Sequence, residues 1–121
     1  MELIRHHHIS FKHAWDGLLW AFTTQPNFKV HISLSLFALT MGFLFQITYV
    51  EMTILVFTIV FGLGIEMVNT SIETLTDLVT AEYKKPAKIA KDVAAGMMLL
   101  TAFGVTIVAA LIFIPRIFML L

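Results

Sequence analysis

The sequence predicts an all-α integral membrane protein, in which one amphipathic surface helix precedes three transmembrane helices. Of its 121 residues, 59% are hydrophobic and only 13% are charged, whereas soluble proteins carry about 25% charged residues. Three stretches, residues 32–50, 52–65 and 93–115, contain no charged side chain. Because a membrane helix needs about 20 apolar residues, we expect one domain, 1–121, with transmembrane segments at about 30–49, 52–80 and 91–115.

The segment before the first span predicts a helix at about residues 9–23 that lies on the membrane surface. Its large apolar side chains recur at intervals of four, three and four residues: Phe11, Trp15, Leu18 and Phe22. This spacing places them on one side of a helix, which is typical of helices in the interface plane. The T-Q-P-N sequence at 24–27 interrupts the pattern, since proline disfavours helical geometry in the residue before it.

Basic residues predict the orientation of these segments, because Lys and Arg beside membrane spans are retained on the cytoplasmic side. They precede the first span and fill the loop between the second and third: Arg5, Lys12, Lys29, Lys84, Lys85, Lys88 and Lys91. The turn between the first two spans has none, and Arg116 is a single opposing charge. We expect a cytoplasmic N-terminus and second loop.

Composition and motifs exclude several classes of protein. Eight basic and eight acidic residues cancel, which removes the positive field expected of a nucleic-acid-binding protein. Cysteine is absent, so the chain has no disulfide and no thiolate metal site. Gly62 and Gly64 are not followed by the G-K-[ST] of a phosphate-binding loop and lie inside a membrane segment. A soluble nucleotide-binding fold is therefore excluded.

The second membrane segment carries a stripe of polar side chains. At about 100° per residue, they fall on one helical face: Glu66, Asn69, Thr70, Glu73, Asp77 and Thr80. The fourteen charge-free residues before this stripe cover roughly 21 Å of helix, so we expect Glu66 at membrane depth. A charge there costs roughly 2.5 to 3.5 kcal/mol even on the milder insertion scale, which requires a partner or a function.

The stripe has a structural interpretation and a catalytic one. An interhelical hydrogen-bond cluster is the structural alternative, but three acids on one face supply more acceptors than Asn69 can satisfy. Glu66 and Glu73 lie about 10.5 Å apart, two helical turns, so they do not share a proton. We expect Glu66 to act as a general base on a lipid-borne alcohol. Glu73 and Asp77 then suit Mg²⁺, and Lys91 supplies charge for nucleotide phosphates.

Three stretches of the chain carry a recognisable pattern. They read F-K-H-A-W-D-G-L at 11–18, E-M-V-N-T-S-I-E-T-L-T-D at 66–77 and A-K-D-V-A-A-G at 90–96. From about Phe11 to the C-terminal segment, the chain resembles the prokaryotic diacylglycerol kinase family, which includes the undecaprenol kinases. The resemblance implies a homotrimer in the bacterial inner membrane that transfers the ATP γ-phosphate to a lipid hydroxyl.

The resemblance also implies roles for individual residues. Glu66 matches the catalytic base, with Asn69 as an active-site amide. Glu73 matches a ligand of the Mg²⁺ that accompanies ATP, the co-substrate. The residues expected to bind or lie near the nucleotide are Glu73, Asp77, Glu82, Tyr83, Lys91 and Asp92.

One position departs from the family. The best-known diacylglycerol kinases place a second metal-binding glutamate where this chain has Gln25, whose neutral amide oxygen coordinates a metal more weakly. The N-F-K-V-H sequence at 27–31 is closer to the undecaprenol kinases. We therefore expect undecaprenol as the lipid, with diacylglycerol as the alternative. The predicted substrate-facing residues are Glu66, Trp15, Asn27 and His31.

Two hypotheses from other classes compete with the kinase. Intramembrane carboxylates also form ion pathways, so an oligomeric proton or cation pathway would show ion flux without releasing ADP. A structural membrane subunit would show neither. The basic loop beside the acidic face and the E-x-x-N-x-x-x-E spacing favour the kinase over both.

Overall fold

Four helices make up the described part of this computed structural model, which covers residues 2–121, with side chains from Ser10 onward. They are α1 (Glu2–Thr24), α2 (Pro26–Leu44), α3 (Tyr49–Val79) and α4 (Lys85–Leu120). The last three are long and apolar enough to cross a membrane. This confirms the predicted all-α class, with an N-terminal helix ahead of three membrane helices. The Arg5 side chain, used above for orientation, lies outside the described side chains.

The break between α1 and α2 falls at Gln25, whose backbone is extended (φ −99°, ψ 110°). Pro26 follows in the first turn of α2, where a missing N–H is tolerated because that turn has no intrahelical acceptors for its N–H groups. Ala21 and Phe28 are buried on the two sides of the break. The two helices also contact each other near this break.

A tight turn joins α2 to α3. The Ile47 N–H donates to the Gly42 carbonyl at 3.1 Å and the Gln46 N–H to that of Phe43 at 3.2 Å, which is the paired pattern of a Schellman motif. Gln46 has a left-handed φ of 52°, a conformation that glycine adopts more easily. Gly42 is buried below the turn, and a Cβ there would lie 3.0 Å from Ile47 Cδ1. A larger residue at 42 would therefore force the side chains of Ile47 and Met52 to shift.

A capping box and an ion pair fix the start of α3. Thr48 Oγ1 accepts the Glu51 N–H at 3.1 Å, and the Thr48 N–H donates to Glu51 Oε1 at 3.3 Å. The Glu51 carboxylate also accepts from both terminal nitrogens of Arg116, with Nη2 at 2.5 Å from Oε1. The two side chains are 23% and 21% exposed. This pair connects the start of α3 to the end of α4.

The helices α3 and α4 make the most extensive contact of the bundle, and α3 also packs on α2. Residues buried in these contacts include Leu55 and Gly62 on α3 and Ala94 and Ile112 on α4. Small side chains among them let the backbones approach closely. Large apolar side chains on the outer faces stay exposed, as expected of surfaces that meet lipid or another subunit. The homotrimer stays a prediction.

The hydroxyl groups of the membrane helices bond to their own backbone. On α3, Thr58, Thr70 and Thr74 donate to the carbonyl four residues earlier, at 2.7, 3.0 and 2.8 Å. Ser35 on α2 and Thr106 on α4 do the same, each at 2.7 Å. These bonds need no partner from another helix. The carboxyl and amide side chains of α3 do not bond to their own helix in this way. Whether each of them has a hydrogen-bond partner therefore depends on the neighbouring helices.

Candidate active site

Burial decreases along the polar stripe of α3. Glu66 is 2% exposed, Asn69 8% and Thr70 9%. Further along the helix, Glu73 is exposed and the Asp77 side chain is 63% exposed. Because α3 continues to Val79 without a break, one helix carries both a buried carboxyl group and an open acidic end beside the α3–α4 loop.

The Glu66 carboxyl group is buried with no hydrogen-bond partner at Oε2. His31 on α2 places its Nε2 3.7 Å from this oxygen, which is beyond hydrogen-bond range. The backbone at this point is well defined, since the Glu66 carbonyl accepts the Thr70 hydroxyl at 3.0 Å. A buried carboxyl oxygen without a partner is available to accept a proton from a ligand.

Asn69 places a second unpaired oxygen one turn from Glu66. Its Oδ1 is buried and, like Glu66 Oε2, has no hydrogen-bond partner. Residues three apart on a helix are neighbours on its surface, so the two groups lie on the same side of α3. Buried polar atoms are nearly always paired in folded proteins. Two unpaired atoms side by side therefore mark the place where a polar ligand group would bind.

A mostly apolar groove of about 450 Å³ runs between α1 and α3. Trp20 and Ala21 line it from α1, and Met67, Thr70 and Leu78 line it from α3. Thr70 follows directly after Asn69 on α3, so the groove reaches the level of the two unpaired oxygens. The groove therefore lies beside the stripe, between the level of Glu66 and the end of α3.

Charged groups pair across α3 and α4 near the loop. Lys91 Nζ lies 2.6 Å from Asp77 Oδ1, and the Glu73 charge also acts on this ammonium group. Lys88 and Asp92 form an ion pair of 2.5 Å on α4. These side chains are largely exposed, and exposed ion pairs contribute little stability. They are therefore free to exchange partners with a charged ligand, and the predicted roles of Asp77 and Lys91 in nucleotide binding stay predictions.

Several other predicted site residues are exposed on the surface of the chain. Trp15 on α1 is 54% exposed and Tyr83 in the loop is 78% exposed. Asn27 is exposed in the first turn of α2. Glu82 pairs with Lys84 at 3.8 Å. Among the described side chains, no hydrogen bond or ion pair joins Trp15, Asn27 or Tyr83 to the stripe.

The predicted metal ligands, Glu73 and Gln25, each carry an oxygen atom of the type that a magnesium ion prefers. Within residues 10–121, no three His, Asp or Glu side chains converge on a metal-binding point. Glu73 is exposed, and within the same residues it makes no ion pair. Gln25 donates through Nε2 to Thr24 Oγ1 at 3.3 Å, which leaves its amide oxygen available. Since Mg²⁺ takes one or two carboxylates together with phosphate oxygens and water, these residues fit a cation that arrives with a nucleotide.

Two contacts were not anticipated from the sequence. Arg116 enters the prediction only as a topology signal, yet it pairs with Glu51 across 65 positions of the chain. The spans α3 and α4 are antiparallel, so the start of α3 and the end of α4 lie at the same membrane level. An isolated acid at one of these ends and an isolated base at the other could therefore have predicted the ion pair. His31 and Glu66 were both predicted to face the substrate, but their direct approach depends on the rotation of α2 against α3, which no sequence pattern indicates.

The fold and the site define the class first: a helical membrane protein with an acidic, partly buried site beside a charged loop. A sequence profile of the family described as prokaryotic diacylglycerol kinase matches residues 12–113. The chain belongs to this family, which confirms the resemblance of the three motifs.

Individual relatives agree with this assignment. A diacylglycerol kinase of Synechocystis is 35% identical over 108 residues, which cover 88% of this chain and 62% of that protein. An undecaprenol kinase of Bacillus subtilis is 36% identical over 108 residues, covering 88% and 87%. A diacylglycerol kinase of Helicobacter pylori is 29% identical over 85 residues, covering 70% and 66%. The chain thus spans less than two thirds of the length of the Synechocystis relative. The names of the family and of these relatives describe phosphotransferases that act on lipid alcohols.

Proposed function

We propose that this chain is an ATP-dependent lipid kinase that phosphorylates undecaprenol, with diacylglycerol as the second candidate. The observation that carries the proposal is the Glu66 carboxyl oxygen, buried and unpaired on a membrane-spanning helix. Family membership supports phosphoryl transfer over an ion pathway or a structural subunit, and N-F-K-V-H at 27–31 supports undecaprenol. The basic residues support an inner-membrane orientation with the N-terminus and the α3–α4 loop in the cytoplasm.

Glu66 acts as the general base in this proposal. As the lipid oxygen attacks the γ-phosphorus, its proton passes to Glu66 Oε2, the bond from phosphorus to the bridging oxygen breaks, and ADP leaves. Asn69 orients the polar end of the lipid, since its buried, unpaired Oδ1 can accept a hydrogen bond from it. The low exposure of both residues keeps water away from the reacting atoms, which strengthens these interactions.

The exposed end of the stripe binds the nucleotide. Glu73, with the amide oxygen of Gln25, would hold Mg²⁺, which neutralises the phosphate oxygens when bound. Lys91 exchanges Asp77 for a phosphate oxygen, and because the existing pair is exposed the exchange costs little. The α1–α3 groove receives the hydrocarbon part of the lipid. Buried base and exposed phosphate site thus lie on one helix, as an enzyme joining a lipid to a soluble nucleotide requires.

Parallel assays with the two lipids test the proposal. The purified chain in detergent micelles receives Mg·ATP with either undecaprenol or a short-chain diacylglycerol, and ADP and lipid phosphate are measured. We expect equal amounts of the two products and a higher kcat/KM for undecaprenol. A preference for diacylglycerol would overturn the choice of lipid alone. No phosphorylated lipid with either alcohol would contradict the kinase, and ion flux into liposomes without ADP release would support the ion pathway instead.

A further inference from the structure

We infer that His31 is a positioning residue for the Glu66 carboxyl group, donating a hydrogen bond from Nε2 to Oε2 when the lipid is bound. The inference rests on the proposed role of Glu66 as the base. The two atoms are 3.7 Å apart, roughly 0.8 Å more than a usual hydrogen bond, and a small side-chain rotation closes this gap. Because each carboxylate oxygen has more than one acceptor site, the histidine and the lipid hydroxyl can both bind the carboxylate.

The backbone that carries His31 is held in place while its ring is free to move. Phe28, one turn earlier on α2, is 5% exposed, and the His31 carbonyl accepts the Ser35 hydroxyl at 2.7 Å. The His31 side chain itself is 36% exposed, against 3% for that of Glu66. The backbone of His31 is therefore fixed near the buried carboxyl group, while its imidazole ring can rotate.

The surroundings of the ring leave Glu66 as its charged partner. A cavity of about 200 Å³ lies among α2, α3 and α4, with His31 in its lining. Its walls are aliphatic or hydroxyl-bearing, including Leu63 of α3 and Thr101 of α4, and α4 contributes no titratable group to it. Among the described residues, Glu66 is the one acid within 4.0 Å of the imidazole nitrogens. The cavity leaves open space on one side of the imidazole, so neighbouring side chains do not hold the ring in a single orientation.

A residue that holds the base, and does not touch the nucleotide, should affect kcat and leave the KM for Mg·ATP unchanged. Replacing His31→Phe keeps an aromatic ring without a donor, and we expect kcat to fall about 10- to 100-fold, as for small misplacements of a catalytic group. Replacing His31→Gln should restore most of kcat, because its amide nitrogen donates from a similar position. His31→Leu serves as a second variant without a donor if the phenylalanine does not fit.

An infrared measurement tests the same contact without turnover. With the lipid alcohol bound and no ATP present, the carboxyl band that disappears in Glu66→Gln should shift in His31→Phe and return toward the wild-type position in His31→Gln. Thermal unfolding of each full-length variant in detergent shows that the fold is retained.

The outcomes separate this inference from the proposed function. A wild-type chain that phosphorylates no lipid contradicts the proposed function itself. An active wild-type chain whose kcat and carboxyl band are the same in His31→Phe or His31→Leu overturns the inference alone. A His31→Gln variant as slow as the variants without a donor also overturns it, since the donor would then not be the property that matters.

Discussion

Glu51 and Glu66 lie on the same apolar helix, and their surroundings differ completely. Glu51 accepts the Thr48 hydroxyl at 2.9 Å, the Thr48 N–H and both terminal nitrogens of Arg116. Glu66 Oε2 is more deeply buried and accepts nothing. A carboxylate that binds a guanidinium at two points is held strongly and in one geometry. The acid near the α2–α3 turn therefore serves the fold, whereas the acid in the middle of α3 is available for chemistry.

The largest predicted effect is on kinase activity, which should depend on Glu66 and not on Glu51. Glu66→Gln removes the proposed base, and we expect lipid phosphorylation to fall by about 10²- to 10⁴-fold, while Glu51→Gln keeps a kcat close to that of the wild type. Initial rates of lipid phosphate formation measure both. Thr53→Ala is the matched control on α3, since Thr53 is exposed and its hydroxyl bonds only to the Tyr49 carbonyl. If Glu51→Gln and Glu66→Gln lost similar amounts of kinase activity, the difference in their surroundings would not correspond to a difference in function.

A smaller predicted effect concerns the Mg²⁺ requirement, which should depend on Glu73, the proposed metal ligand, more than on the base Glu66. Glu73→Gln weakens a charged oxygen ligand, so we expect the Mg²⁺ concentration for half-maximal rate to rise at least about tenfold, with a smaller change in kcat. Gln25→Glu should lower it, because a second carboxylate binds Mg²⁺ more strongly. Titrations of the rate with Mg²⁺ at fixed ATP give both values. An unchanged Mg²⁺ requirement in Glu73→Gln would remove this residue from the metal site.

The two ion pairs between α3 and α4 should differ in stability. Arg116→Met leaves the Glu51 carboxylate without its partner in a site where both side chains are about a fifth exposed, so we expect a clear drop in Tm. Lys91→Met breaks a pair whose side chains are 46% and 63% exposed, and the drop should be smaller. Thermal melts in one detergent compare them. The reverse order of the two Tm values would contradict the structural role assigned to Glu51.

The smallest effect concerns the turn itself. Gln46→Gly relieves a left-handed backbone conformation, which costs a non-glycine residue about 1 to 2 kcal/mol, but also gives the unfolded chain more freedom, worth about 0.5 to 1 kcal/mol. We expect a net stabilisation of about 0 to 1.5 kcal/mol and an unchanged kcat. Chemical denaturation in mixed micelles and the lipid kinase assay measure the two. A lower stability would mean that the glutamine side chain itself supports the turn.

Local periodicity was enough to predict the helical class and the polar stripe. The spacing of Glu66, Asn69 and Glu73 is a property of one helix, and the length of the charge-free run before Glu66 predicts its depth. The contacts of Glu51 and of Glu66 with other helices depend on packing between distant segments, which the pattern of a single segment does not contain. The turn conformation at Gln46 also has no signal, because glycine is the residue that usually marks it.

The inward-bonded hydroxyls of α2, α3 and α4 have a consequence for how the protein is made. A helix whose threonines and serines already donate to its own carbonyls presents few unmet donors to the hydrocarbon core, so each helix can enter the bilayer before it meets its neighbours. Among the described residues, two buried acceptors on α3 do stay unpaired, Glu66 Oε2 and Asn69 Oδ1. Their environment is created only when the helices dock, so the groups proposed to carry the chemistry acquire their final setting at the last stage of assembly.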